Sequence, residues 1–407
     1  MQPLKITIYG NFWDVQIYKG RLYLWDMNGD LYIYNWEELI ENIYSNDKFL
    51  KLPIVCGFLR GDYLYNNNFN LIYGDAEIKN SILHKFKKAS SKENFFNLEN
   101  MPLRAKQENP FRELQTDSEI YYNNIYAATQ KGLLLARAHR SSKKYPVTSR
   151  FEKIWDCPNI QSVRANSKRL LLSGGSEGLF EFLIDRENFY PSMFKVVDNK
   201  IIQLDKRHSL FSTYAFSSIY NTSDIDGSFL IANYWESGDD SYSRKLKFYK
   251  VYNESDIFPD VNRNKGFSWA ENEKIYYIKN GYPIKVIGFT QGSINNTIGN
   301  NKKIFEIFGD DKSSNKINEE EIVSAGVAQF GTLIEDLNGL TVLQSNGEKY
   351  RITGDITRWR VYPRAKQYTN HLHVILDDRI EIYSFNHDYF LEQTTKIYGI
   401  KPVKSGN

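Results

Sequence analysis

The sequence predicts an all-β fold, a single β-propeller of seven or eight antiparallel four-stranded blades with short helical insertions, occupying residues 1–407. Three observations predict it. Tyr, Phe and Trp together make up 15% of the chain, and aromatic side chains favour half-buried pleated surfaces. Pairs of apolar segments joined by tight-turn residues recur every ~40 to 60 residues, the spacing of a propeller blade. A further strand often precedes the pair, giving a three- or four-stranded meander that cannot bury both faces alone. Stacking such units radially covers those faces and protects the edges.

The elements follow in chain order. Residues 5–9 read as a first strand and residues 13–18 as the strand before the first hairpin. Residues 21–26 and 31–34 alternate in side-chain character around Asn28-Gly29, a pair suited to the positive φ values of a type I′ turn. A helix is expected around residues 36–44, with Glu37 and Glu38 in its first turn and Leu39, Ile40 and Ile43 as its apolar face. Residues 63–65 and 71–73 read as a second hairpin. The polar stretch 87–114, with Pro102 and Pro110, reads as a helix-containing insertion between blades. Hairpins follow at 125–128 with 133–135, at 170–172 with 179–182, and at 229–232 with 246–249.

Residues 274–278 and 284–287 turn at Asn280-Gly281, and residues 333–334 and 340–343 turn at Asn338-Gly339. Both turns are expected to be type I′. Gly347 turns the latter pair into a third strand at 350–352, while 299–321 reads as a second inter-blade insertion. Residues 160–164 and 359–362 each read as a strand preceding a hairpin. The last hairpin pairs 372–376 with 380–383. Residues 395–400 would share a blade with the first strand and close the ring. The hairpins number eight, while propellers more commonly have seven blades.

Lys+Arg 52 against Asp+Glu 49 gives a net charge of +3, with 41% apolar and 25% charged residues. That balance excludes disorder, collagen and coiled coil as the main state. Cys56 and Cys157 could form at most one disulfide. The N-terminal residues lack a secretory pattern, and no run of about 18 apolar residues spans a bilayer. The expected compartment is the cytoplasm, with no membrane partner.

No catalytic, cofactor or metal-site signature is present, so no cofactor is expected and an enzyme is unsupported. His371 and His373 should share a strand face, but two histidines without a third ligand specify no metal. The basic clusters carry more chemistry. Arg137, Arg140, Lys143 and Lys144 form one. Arg358, Arg360, Arg364 and Lys366, beside Trp359 and Tyr362, form another, and Arg164 echoes Arg364 at the end of a different inner strand. Cations interleaved with aromatic residues suit a phosphate backbone and unstacked bases, whereas the plainer reading is a charged blade edge.

Trp13-Asp14, Trp25-Asp26 and Trp155-Asp156 are WD dipeptides, and Gly174-Gly175 is a paired glycine. The chain resembles β-propellers of the broad WD40-like or kelch-like kind over essentially its full length. The propeller-like repeat, the aromatic-rich composition and the absence of a catalytic signature together point to a non-catalytic interaction module, a scaffold binding a partner protein within a larger assembly. The alternatives are nucleic-acid or other polyanion binding through the basic clusters, and a propeller enzyme acting on a glycan or small molecule.

Overall fold

The computed structural model describes residues 1–391 apart from 46, 101–102, 110–112, 139–149, 158, 167, 185–194, 199, 216–217, 238–243, 260–265, 272–273, 280–283, 290–304 and 311–321. Its strands form seven separate sheets, the organisation of a seven-bladed β-propeller. The chain divides into two compact units, one of residues 1–114, 141–148 and 323–407, the other of residues 115–140 and 149–322.

The first unit holds three blades. Blade 1 comprises Phe12–Tyr18, Arg21–Asp26, Leu31–Asn35 and Leu103–Gln107. Blade 6 comprises Ile322–Ala328, Gly331–Asp336, Gly339–Gln344 and Lys349–Thr353. Blade 7 takes Ile356–Val361, His371–Leu376 and Arg379–Ser384 from the C-terminal part of the chain and Leu4–Tyr9 from its beginning. Leu4–Tyr9 pairs antiparallel with Arg379–Ser384 over six residues, so the expected closing strand exists and finds its partner there. Residues 395–400, its expected companion, lie outside the described residues.

The second unit holds four blades. Blade 2 is built from Asp117–Tyr121, Asn124–Thr129, Gly132–Arg137 and Glu152–Trp155. Blade 3 is built from Ser162–Asn166, Arg169–Ser173, Leu179–Leu183 and Ile201–Asp205, with Lys195–Asp198 added outside. Blade 4 is built from Phe211–Ala215, Ser218–Thr222, Phe229–Ser237 and Arg244–Asn253. Blade 5 is built from Gly266–Glu271, Lys274–Lys279, Lys285–Phe289 and Phe305–Asp310.

Central strands such as Arg169–Ser173, Gly339–Gln344 and His371–Leu376 are buried at every position. A blade covered on both faces requires this, and it produces apolar runs in place of simple alternation. In the second unit Leu133, Val163, Leu170, Leu172 and Phe180 form one core cluster and Leu171, Tyr214, Ile219 and Phe229 another. Leu171 joins the second while Leu170 and Leu172 join the first, because successive side chains leave a strand on opposite faces.

Seven of the eight expected hairpins are present; the pairing of 63–65 with 71–73 is not. Gly61–Tyr65 is a 3₁₀ turn and Asn70–Gly74 a helix, which removes the eighth blade. Short apolar runs do not separate strand from helix by periodicity. These residues belong to an insertion between the third and fourth strands of blade 1. It carries α1 (Trp36–Tyr44), α2 (Lys51–Phe58), α3 (Asn70–Gly74) and α4 (Ala76–Ser90). Of the expected insertion 87–114, the beginning lies in α4, Asn94–Phe96 is a strand beside Leu4–Tyr9, and Leu103–Gln107 pairs with blade 1. Of 299–321, only Phe305–Asp310 is described, as a strand of blade 5.

The turn assignments also change. Gly29 has φ of 80°, but Asn28 is not among the positive-φ residues. The Gly29 N–H donates to Asp26 O and the Asp26 N–H to Asp30 O, the pattern of a type I turn followed by a left-handed bulge residue. Gln344–Glu348 repeats this hydrogen bonding, with Gly347 at φ 87°. Asn338 is likewise absent from the positive-φ residues, and Asn280-Gly281 lies outside the described ones. The paired positive φ values of type I′ turns fall at Lys19-Gly20 and Tyr122-Asn123, between the first and second strands of blades 1 and 2.

Candidate functional site

The basic residues divide between structural and exposed roles. Arg358 and Arg360 alternate on the first strand of blade 7, as expected, and both reach Asp14 on the first strand of blade 1. Arg360 holds it with two bonds, Nε to Oδ1 and Nη2 to Oδ2, each 2.7 Å. Arg358 Nη1 lies 3.5 Å from Oδ2, with its guanidinium over the Trp13 ring. Asp14 is fully buried and Arg360 nearly so. Arg164, on the first strand of blade 3, bonds Asp117 of blade 2 and lies over Phe211.

Its structural counterparts are therefore Arg358 and Arg360, not Arg364, which follows the blade 7 strand in a turn. Arg137, Arg364 and Lys366 are exposed, and Arg140, Lys143 and Lys144 lie outside the described residues. Arg137 and Arg164 belong to one compact unit, Arg358, Arg360, Arg364 and Lys366 to the other.

The richest constellation in the first unit is one the sequence reading missed. Asn35 caps α1 by accepting the Glu37 N–H, and Asp75 caps α4 by accepting those of Glu77 and Ile78. Pro53 sits in the first turn of α2, where its missing N–H costs no helical bond. The C-terminal end of α2 then runs into blade 7. Helix ends leave carbonyls without intrahelical partners, and here the blade supplies donors.

Gly57 O accepts from Asn370 Nδ2 at 3.0 Å, His371 Nε2 at 2.9 Å and Ser384 Oγ at 2.9 Å. Asn386 Nδ2 reaches Cys56 O at 3.4 Å, and Trp36 Nε1 donates to Phe58 O at 2.7 Å. A Cβ on residue 57 would crowd Leu4 and Ser384, so glycine permits this approach. Ile82, Phe86 and Ala89 on one face of α4 join the same core as Leu4, Ile6 and Ile8.

Three buried histidines lie at or beside this seam. The His371 ring contacts Trp36, Phe58, Tyr368 and His373, with centroids 5.3 to 6.4 Å away. His373 Nδ1 lies 3.2 Å from Tyr362 Oη, and His387 Nε2 donates to the Met1 carbonyl. His371 Nδ1, His373 Nε2 and His387 Nδ1 are buried without a hydrogen-bond partner. Burial lowers the His371 pKa to about 4, and burial with the nearby N-terminal ammonium lowers that of His387 to about 3. Burial, His371 and Arg360 hold His373 well below the imidazole range. Among the described residues no three metal-binding side chains come together.

The other end of the insertion faces solvent. Leu71 is 91% exposed, Ile72 51%, and Phe69 and Ile78 also project outward. Asp75 and Glu77 lie in the same exposed run. Tyr73 turns inward and anchors this tip: its carbonyl accepts from Tyr389 Oη, and the Tyr389 ring meets Tyr65 edge-on at 5.9 Å. No helix among the described residues is long and apolar enough to cross a membrane.

No family model and no curated protein matches the chain. Among solved structures it is similar to the Cps50 (Swd1) β-propeller domain of Myceliophteria thermophila at 9% identity, covering 93% of this chain and 98% of that one, with a TM-score of 0.49. The Pan2 WD40 domain of Neurospora crassa aligns at 7% identity over 92% and 89% of the two chains, with a TM-score of 0.45. The computationally designed Ika8 protein aligns at 7% over 94% and 100%, with a TM-score of 0.43. At this level of likeness no residue's role transfers.

Proposed function

We propose that the chain is an interaction scaffold whose blades carry a helical insertion that binds a partner protein within a larger assembly. The observation that supports this reading is the tip of the insertion, where Phe69, Leu71, Ile72 and Ile78 project into solvent within ten residues of one another. Clustered apolar exposure marks interaction surfaces more often than single exposed residues do. The hydrogen bonds at the α2 terminus hold the base of the insertion against blade 7, so docking at the tip costs less ordering entropy than docking on a free loop.

The test is affinity capture from nuclease-treated and untreated extracts by wild type and by Leu71→Glu/Ile72→Glu. Both substituted side chains are exposed, so the fold should survive. A partner that resists nuclease and is lost at least tenfold by the variant supports the reading. Capture abolished by nuclease would favour the polyanion alternative, with Arg137, Arg140, Lys143, Lys144, Arg364 and Lys366 as its candidate contacts. A salt series would then show a slope that flattens when these charges are removed.

A further inference from the structure

We propose that the seam between α2 and blade 7 is an acid-sensitive latch, in which buried neutral histidines hold the helical insertion closed at neutral pH and favour its release as the pH falls. His371 is the centre of the device. A carbonyl can only accept, so the bond to Gly57 O is donated by Nε2–H, which leaves Nδ1 as the bare nitrogen. A second proton would therefore go to Nδ1, which is buried among Trp36, Phe58, Tyr368 and His373 and has no hydrogen-bond partner there.

The charged and titratable groups around the three rings reinforce this. His371 faces Tyr368 and His373. His373 lies directly across the strand pair from the Arg360 cation and beside Tyr362. His387 faces the N-terminal ammonium, which opposes its protonation, and Glu348, which favours it; Asp388 follows it in the chain. Glu348 acts on His387 as a favourable carboxylate, and it also pairs with the ammonium at 3.6 Å.

The direction follows from which form takes up protons. Opening exposes His371 to water, where its pKa returns to about 6.5, against about 4 when closed. The closed form is at full advantage above the higher value. It loses ground as the pH falls, until His371 is charged in both forms near the lower one. Between pH 7 and pH 5 this raises the opening constant about 20-fold from His371 alone. His373 and His387 add to that factor if they too are exposed.

The experiment is amide hydrogen exchange on the full chain at pH 7 and pH 5, corrected for intrinsic exchange rates. The reporters are α2 (Lys51–Phe58) and, as a reference, the blade 3 strand Arg169–Ser173. Protection in α2 should fall about 20-fold or more while the blade 3 strand keeps its own. His371→Gln retains a donor for Gly57 O without a titrating ring, and should remove the His371 share of the pH dependence.

Should that variant misfold, the imidazole titration of wild-type His371 by NMR replaces it: the ring should stay neutral at pH 5. Equal protection of α2 at the two pH values, an unchanged pH dependence in His371→Gln, equal loss from blade 3, or ordinary titration near pH 6.5 would each overturn the latch.

Discussion

Asp14 shows how an ion pair can lie hidden inside a basic cluster of the sequence. Arg358 and Arg360 were legible as neighbours on one strand, but their acceptor lies near the other end of the chain, and no local pattern connects them. Removing one partner of a buried pair leaves an uncompensated charge, so Asp14→Ala should cost about 3 to 5 kcal/mol. Asp14→Leu with Arg360→Met should restore most of that loss, read as the denaturant midpoint. Equal destabilisation by the single and double variants would show that the pair's charge is not what matters.

Glycine conformations divide in a similar way. Gly29 and Gly339 were recognisable as turn glycines, whereas the turn types were not, because an Asn-Gly pair serves equally in a type I turn with a left-handed bulge. Gly29→Val should cost about 1 to 2 kcal/mol through its left-handed backbone. Gly339→Val should cost more. Its φ is 142°, and a Cβ there would run into the Ile352 carbonyl. Thermal melts of the two variants check the order.

At the scale of elements, the hairpins were readable because each is local, with both strands and the turn inside one short window. The insertion was readable at α1, where an acidic first turn precedes a clear apolar stripe, and in part as the helix-containing stretch 87–114, whose beginning lies in α4. For α4 the signal was present: Asp75 as cap and Ile82, Phe86 and Ala89 on one face. The alternation at 63–65 and 71–73 competed with it. The seam itself was not legible, since Gly57, Asn370, His371 and Ser384 meet only in the folded chain.

The Gly57 carbonyl is the point where this element is most easily broken. Gly57→Val would push a branched side chain against Leu4 and Ser384. Limited proteolysis should then cut within residues 36–100 at neutral pH while fragments of the second unit survive intact. Unchanged resistance of the insertion would show that the seam tolerates the added bulk.

At the scale of the whole molecule, the strand Leu4–Tyr9 makes the beginning of the chain part of the last blade. Deleting residues 1–10 should lower the melting temperature, because blade 7 then exposes the edge of Arg379–Ser384. Circular dichroism should show a sheet-dominated spectrum, with less helix than the one-third share of ordinary globular proteins.

The functional reading turns on one surface, the solvent-facing tip around Leu71. It is tested most directly by placing a photo-cross-linking residue at position 71 and, separately, at Ile225 and Leu337, which are 72% and 66% exposed and belong to turns of blades 4 and 6 rather than to the insertion. In nuclease-treated extract, position 71 should yield a discrete protein adduct that the two control positions do not. Adducts from 225 or 337 with none from 71 would contradict a partner surface on the helical insertion.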